Sequence, residues 1–303
     1  MSSHSYIKND KNADIFININ GELVHRKEAK ISVFDSGFLL GDGVWEGIRL
    51  HQNQLIFIDD HLDRLFESAK GISLDLPFSK KEIINQISKV LLKNNMKNDV
   101  HIRLIISRGE KITPYQNPNA NLGPITMVII PEFKKTNPNT YINGIKIGRV
   151  LTVRPSHNIL STHYNTLSKL NCILASIEAN ELGFDEGIMN DLNGNISTCN
   201  STNLFFIKGD CVWTSRGEYC LNGITRSKAI YLCEKNDINC YQKDFTFDEI
   251  KDCDEAFVTG TFAGIIPVSS IENRNLLSIN SNSLTNHIRN LYNNYIIENI
   301  NKA

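Results

Sequence analysis

The feature that most limits what this chain can become is a hydrophobic period that switches between two and 3.6 residues in both halves, which calls for strands and helices mixed throughout. Residues 15–33 hold two short strand-like runs around the turn pair Asn20-Gly21. Residues 59–70 place Leu62, Leu65, Phe66 and Ala69 on one helical face. Ser79-Lys80-Lys81-Glu82 fits a capping box, in which serine and glutamate each satisfy a free backbone N–H of the first turn. The helix it opens turns Ile83, Ile87, Val90 and Leu91 inward, and residues 100–108 and 125–131 read as strands. Beyond a polar stretch, a strand over 145–153 leads to a helix from about Ser168 to Leu182, with Leu170, Ile173, Leu174 and Ile177 turned inward. Strands follow at 186–189, 203–208, 211–214 and 256–259. A helix starts near Thr225, and a closing helix buries Leu284, Ile288, Leu291 and Tyr295.

This pattern predicts an α+β or mixed α/β fold in two domains. The length of 303 residues agrees, at roughly 100–200 residues per domain. The polar run from Lys134 to Asn143, with Asn137-Pro138-Asn139 inside it, is the natural boundary. The expected division is an N-terminal domain of residues 1–134, a linker of 135–144 and a C-terminal domain of 145–303. Basic and acidic side chains number 32 and 33, so no electrostatic case exists for nucleic acid or an anionic membrane as partner. The first fourteen residues are polar, and no run approaches the roughly 20 apolar residues of a membrane span. A cytoplasmic location is expected. The seven cysteines are scattered, odd in number and lack a Cys-x-x-Cys pair, which points to reduced thiols and to no metal site.

Four segments carry a resemblance. They are Phe34-Asp35-Ser36-Gly37-Phe38-Leu39-Leu40-Gly41-Asp42-Gly43-Val44-Trp45-Glu46-Gly47-Ile48-Arg49, His61-Leu62-Asp63-Arg64-Leu65, Leu221-Asn222-Gly223-Ile224-Thr225-Arg226 and Thr259-Gly260-Thr261. In order and spacing they resemble the class IV (fold type IV) pyridoxal-phosphate-dependent aminotransferases: branched-chain and D-amino-acid aminotransferases and aminodeoxychorismate lyases. The resemblance implies a two-domain fold with the active-site cleft between domains, a small-molecule substrate and a homodimer. It also implies a phosphate site. Ile224 and Thr225 would present backbone N–H groups at a helix start, Arg64 a guanidinium and Thr261 a hydroxyl, while Arg103 would bind a substrate carboxylate. The helix start stands on its own physics, because a helix N-terminus carries unsatisfied donors and partial positive charge.

The same alignment implies losses. The family's lysine, which carries the cofactor as a Schiff base, falls on Asn165 of Asn165-Thr166-Leu167-Ser168-Lys169-Leu170. A carboxamide is not a nucleophile at neutral pH. The glutamate that pairs with the pyridine nitrogen falls on Thr198. Lys169 replaces a tyrosine, and Gly264 and Ile266 stand where glutamate and threonine are usual. No covalently bound cofactor is therefore expected, although pyridoxal phosphate or another phosphate-bearing ligand suits the retained phosphate site. Three readings remain open at this level. One is a derived enzyme acting on a small carboxylate- or amino-acid-like substrate through groups such as Lys169, Cys199, His163, Tyr164 and Arg103. Another is a transaminase or lyase with Lys169 as substitute lysine, four residues after Asn165 and so one helical turn along the same face if the helix already covers both. The third is a non-catalytic binding protein or partner subunit.

Overall fold

The computed structural model describes residues 3–156, 158–159 and 161–300. In chain order, β1 (Tyr6–Ile7), β2 (Phe16–Ile19) and β3 (Glu22–His25) precede α1 (Ser36–Leu40), β4 (Gly43–His51) and β5 (Gln54–Leu55). Helices α2 (Ile58–Gly71) and α3 (Lys80–Lys93) come next, then β6 (Val100–Ser107), β7 (Thr126–Phe133), β8 (Lys135–Thr136) and α4 (Asn139–Asn143). The remainder is β9 (Ile145–Arg149), α5 (Leu170–Glu181), β10 (Glu186–Asn190), β11 (Ile196–Cys199), β12 (Asn203–Lys208) and β13 (Cys211–Thr214). It closes with α6 (Ile224–Lys235), β14 (Asn239–Gln242), α7 (Phe247–Ile250), β15 (Glu255–Gly260), β16 (Gly264–Ile271), β17 (Arg274–Asn275) and α8 (Leu284–Ile300).

The chain divides into two units. The N-terminal unit comprises Ile7–Lys135 together with Tyr164–Lys169. Its antiparallel six-stranded sheet runs in the order β3-β2-β7-β6-β4-β5. Asn20 and Gly21 take positive φ between β2 and β3, as a tight hairpin turn demands. The Ser79–Glu82 capping box is formed, and Ile83, Ile87, Val90 and Leu91 pack with Leu62, Leu65 and Ala69 of α2 over Val44, Ile48, Ile102 and Leu104 of the sheet.

The C-terminal unit holds the described residues of Met1–Tyr6, Thr136–His163 and Leu170–Ala303. Its nine-stranded mixed sheet has the order β11-β10-β9-β16-β15-β12-β13-β14, with β17 on β16. Strand β9 runs parallel to both β10 and β16, and β14 parallel to β13.

Four findings differ from the sequence reading. Residues 135–144 are not bare linker, since they contain β8 and α4. Residues 164–169 group with the N-terminal unit, although they lie inside the expected C-terminal domain. Helix α5 starts at Leu170 and buries Ala175 and Ala179, while Leu170, Ile173, Leu174 and Ile177 remain 67%, 52%, 49% and 49% exposed. The cause is close packing: a Cβ added at Gly187 of β10 would stand 3.2 Å from the Ala175 carbonyl oxygen. Only small side chains fit between that helix and its sheet. Helix α8 is rotated slightly from the expected face, burying Thr285, Ile288, Tyr292 and Ile296, with Leu284, Leu291 and Tyr295 half-buried.

Candidate functional site

In the N-terminal unit the chemistry gathers around Trp45. Strand β4 has β6 along one side, but on the other β5 covers only Leu50 and His51. Residues 165–167 fill that edge. The Trp45 N–H donates to the Asn165 carbonyl at 3.0 Å, and the Leu167 N–H donates to the Gly43 carbonyl at 2.9 Å. The Trp45 indole N–H reaches the Thr166 carbonyl at 3.1 Å. Asn165 is buried, its side-chain Nδ2 donating to the Trp45 carbonyl at 2.7 Å and its backbone N–H to Ser68 Oγ at 3.0 Å. Its Oδ1 is buried without a partner. Residues 165–169 lie outside any helix and α5 starts only at Leu170, so the helix does not cover both Asn165 and Lys169, as their placement one turn apart required. Residues 165–167 are instead committed to the edge of β4.

Two cations face the Trp45 ring: the Arg103 guanidinium carbon lies 3.7 Å from its centroid, and Lys169 Nζ lies 5.6 Å away. Arg103 projects from β6, in register with Gly47 of β4. Burial pulls its pKa down from the ordinary arginine value, opposed by the charges of Glu132 and Glu46. A half-buried guanidinium stacked on indole keeps its edge N–H groups directed for an oxyanion. Tyr164 lies flat against Gly71, where an added Cβ would come within 2.2 Å of the ring, so its role there is packing.

Arg64 has a firm anchor. Its Nε and Nη2 each donate at 2.8 Å to the two oxygens of Glu46, and His61 Nδ1 stands 2.7 Å from Glu46 Oε2. Glu46 and His61 are buried. Burial alone would raise the Glu46 pKa, but the hydrogen bonds and charges of Arg64 and His61 prevail and hold it below the usual carboxylate range. The sequence carried only part of this signal: His61 and Arg64 are three apart on one helix and share a face, but nothing local ties either to Glu46.

In the C-terminal unit, α6 begins at Gly223, which is extended and offers no side-chain cap. The first intrahelical bond runs from the Ser227 N–H to the Gly223 carbonyl at 2.9 Å, so the Ile224 and Thr225 N–H groups have no partner within the helix. Thr225 is 2% exposed, and its Oγ1 is buried without a partner, as is Thr259 Oγ1 on β15. Thr261 is half-buried in the turn joining β15 to β16. Arg226, which the sequence reading passed over, turns back to tie the preceding loop, with Nη2 donating to the Ser215 carbonyl at 2.7 Å and to Gln242 Oε1 at 2.9 Å. Asn203 Nδ2 holds the Leu221 carbonyl at 2.9 Å. A Cβ at Gly223 would meet Asn203 Oδ1 at 2.3 Å, so glycine alone lets the loop approach. Unsatisfied first-turn N–H groups and an orphaned buried hydroxyl on a stitched loop fit a phosphate oxygen set.

A second cluster of this unit surrounds Glu186. Ser3 Oγ donates to it, and so does Thr202 Oγ1, the latter at 2.6 Å. Burial nonetheless pushes its pKa up. Beside it Thr198 spends its hydroxyl proton on the Thr202 carbonyl at 2.7 Å. The Cys199 thiol is buried and driven well above its ordinary value by burial and the Glu186 charge, which suits an inert filler and not a nucleophile. His163 stands 2.8 Å from the Glu218 carbonyl on an exposed loop. Gly264 has φ of 72°, and a Cβ there would meet the Tyr292 ring at 2.9 Å, so the usual glutamate has no room. Among the described residues no group of side chains could hold a metal ion, and no helix is long and apolar enough to cross a membrane.

The chain matches the model of the family described as amino-transferase class IV over residues 43–271. It is 35% identical over 286 residues to a branched-chain-amino-acid aminotransferase-like protein 1 of Arabidopsis thaliana, covering 93% of this chain and 51% of that protein. It thus spans about half the length of that relative. A putative branched-chain-amino-acid aminotransferase of Methanocaldococcus jannaschii is 34% identical, with 85% of this chain and 88% of that one covered. A D-alanine aminotransferase of Bacillus licheniformis is 32% identical, with 92% and 96% covered. Among solved structures, the branched-chain aminotransferase of Thermoproteus uzoniensis with norvaline superposes with a TM-score of 0.84 at 26% identity, covering 94% of this chain and 95% of that one. The branched-chain amino acid aminotransferase of Escherichia coli gives 0.81 at 27%, covering 91% and 92%. These likenesses run through nearly the whole chain, and they agree with its mixed α/β architecture. The chain belongs to the class IV aminotransferase family.

Proposed function

We propose that this chain uses the aminotransferase fold to hold a small anionic ligand, carboxylate- or amino-acid-like or phosphate-bearing, without fixing pyridoxal phosphate to a lysine. Asn165 carries the reading. At the position where the resemblance puts the family's lysine, a buried carboxamide is committed to the Trp45 carbonyl and has no nucleophilic electron pair to offer. Thr198, at the position of the pyridine-partner glutamate, is a neutral hydroxyl already donating to a backbone carbonyl. These residues do not fit a covalently held pyridinium cofactor. The start of α6 does fit a phosphate, and Arg103 on its Trp45 platform fits a carboxylate.

The test is borohydride reduction of protein incubated with pyridoxal phosphate, followed by peptide mass analysis. No phosphopyridoxyl adduct is expected on any lysine of the site. An adduct on Lys169, or transamination of branched-chain amino acids at an ordinary turnover, on the order of 1–10³ per second, overturns the reading. Restoring Asn165→Lys and Thr198→Glu together is expected to create the adduct on the new lysine.

The same reading includes a homodimer, for which α5 supplies the support. Leu170, Ile173, Leu174 and Ile177 recur at helical spacing and stand about half exposed, with Leu151 beside them at 90%. Leu151 is tied to the helix through Glu178, which accepts its N–H. At roughly 100 Å² per large aliphatic side chain, this stripe offers about 300 Å² of apolar area. That is a substantial core for the roughly 800 Å² one partner contributes to a standard interface. A second copy meeting the stripe with its own would cover both. Leu174→Glu is expected to yield a monomer in sedimentation velocity while the wild type sediments as a dimer, and an unchanged dimer would rule out this surface.

A further inference from the structure

Two cysteines that take no part in the hydrogen bonds described above stand side by side, with Arg226 near enough for its charge to act on one of them. Cys233 lies in the last turn of α6 and Cys240 in β14, and the chain between them folds tightly back. The Asn236 and Ile238 N–H groups both donate to the Cys233 carbonyl, at 3.2 and 2.9 Å, and Asp237 takes a φ of 56° to make the turn. The two thiols share a hydrogen bond. Cys233 is fully buried, whereas Cys240 is partly exposed. Of the other five thiols, Cys199, Cys220 and Cys253 are buried and pushed up by that burial, while Cys172 and Cys211 are partly exposed like Cys240.

The pair is asymmetric. The hydrogen bond from Cys233 lowers the Cys240 pKa; burial opposes this, the Arg226 charge adds to it, and Glu234 opposes it. The same hydrogen bond, with burial, raises Cys233. A partly exposed thiol whose ionisation is favoured, beside a buried one, is the arrangement in which one cysteine meets an oxidant and the other resolves it.

We propose that Cys233 and Cys240 form a reversible dithiol–disulfide site whose oxidant is a hydroperoxide. The Cys240 thiolate attacks one peroxide oxygen. The O–O bond breaks, an S–O bond forms, and the departing hydroxide takes up a proton to leave as water. The Cys233 sulfur then attacks the sulfenic sulfur of Cys240; the S–S bond forms, the S–O bond breaks, and the oxygen leaves as a second water carrying the thiol proton. Two thiols and one hydrogen peroxide become one disulfide and two waters, with two electrons passing from sulfur to peroxide. A small dithiol reverses the change by thiol–disulfide exchange.

The experiment exposes fully reduced, folded protein to a small molar excess of hydrogen peroxide and maps its thiols after denaturation in alkylating agent. Two of the seven thiols are expected to disappear and to return with dithiothreitol. Lys235 lies between the cysteines, so trypsin separates them unless a disulfide joins the two peptides, and that joined pair is the expected product. Cys240→Ser is expected to retain its six thiols under the same exposure, and Cys233→Ser to leave Cys240 as a sulfenic acid that dimedone labels. The wild-type map decides even where a variant fails to fold. A disulfide between any other pair, an intermolecular bond, or no thiol loss overturns the proposal.

Discussion

Asn165 keeps one end of its carboxamide bonded and the other buried and bare, so its removal has a calculable cost. Asn165→Ala deletes the hydrogen bond to the Trp45 carbonyl and leaves that acceptor inside the protein. An unsatisfied buried group costs about 1–3 kcal/mol. Urea unfolding is expected to show a loss of that size, and an unchanged midpoint would mean that the amide packs loosely. Thr225 poses the opposite case, a hydroxyl awaiting a partner. Thr225→Val keeps the shape and removes the donor, so inorganic phosphate is expected to bind roughly tenfold more weakly, the value of about one hydrogen bond. Calorimetric titration of both proteins measures it. Of these residues the sequence showed identities and order but not commitments. Arg64 read as a phosphate ligand, and its bidentate hold on Glu46 came from a strand 18 residues earlier that no local pattern links to it.

Elements were legible where their signals are local. The Asn20-Gly21 hairpin and the Ser79–Glu82 cap both depend on a few adjacent residues, and both are present. Helix α5 was legible as a helix but not in its orientation. Periodicity finds a stripe, and only the neighbouring surface decides whether that stripe turns in. Here Gly187 lets the sheet approach the Ala175 backbone, so Ala175 and Ala179 pack against Val150 and Met189 and the large residues turn outward. Gly187→Ala would set a methyl 2.6 Å from Val150 Cγ1. Overpacking of this kind costs about 1–3 kcal/mol, and a variant as stable as the wild type would contradict the close approach.

Across the whole molecule, two buried carboxylates respond to acid in opposite senses. Glu46 titrates lower in the folded state than unfolded, so the stability it gives is present above the unfolded value and is lost as pH falls through the folded one. Glu186 titrates higher folded than unfolded, so its contribution is present below the unfolded value and is lost as pH rises through the folded one. Glu46→Gln is therefore expected to lag the wild type most at neutral pH and least in acid. Glu186→Gln should compare best with the wild type at mildly alkaline pH. Chemical denaturation at both extremes checks the pair, and parallel pH profiles would refute it. The fold class was visible at this scale because mixed periodicity survives any arrangement of elements, whereas the return of residues 164–169 to the N-terminal unit was not. Those six residues have a consequence for synthesis. A ribosome emits residues 7–135 first, yet the open edge of β4 is closed only when a stretch made well after that segment emerges. The first unit therefore waits for its last strand-like contact until synthesis of the second is under way, and a nascent chain halted before residue 164 would expose Trp45 and the edge of β4 to whatever strand it meets.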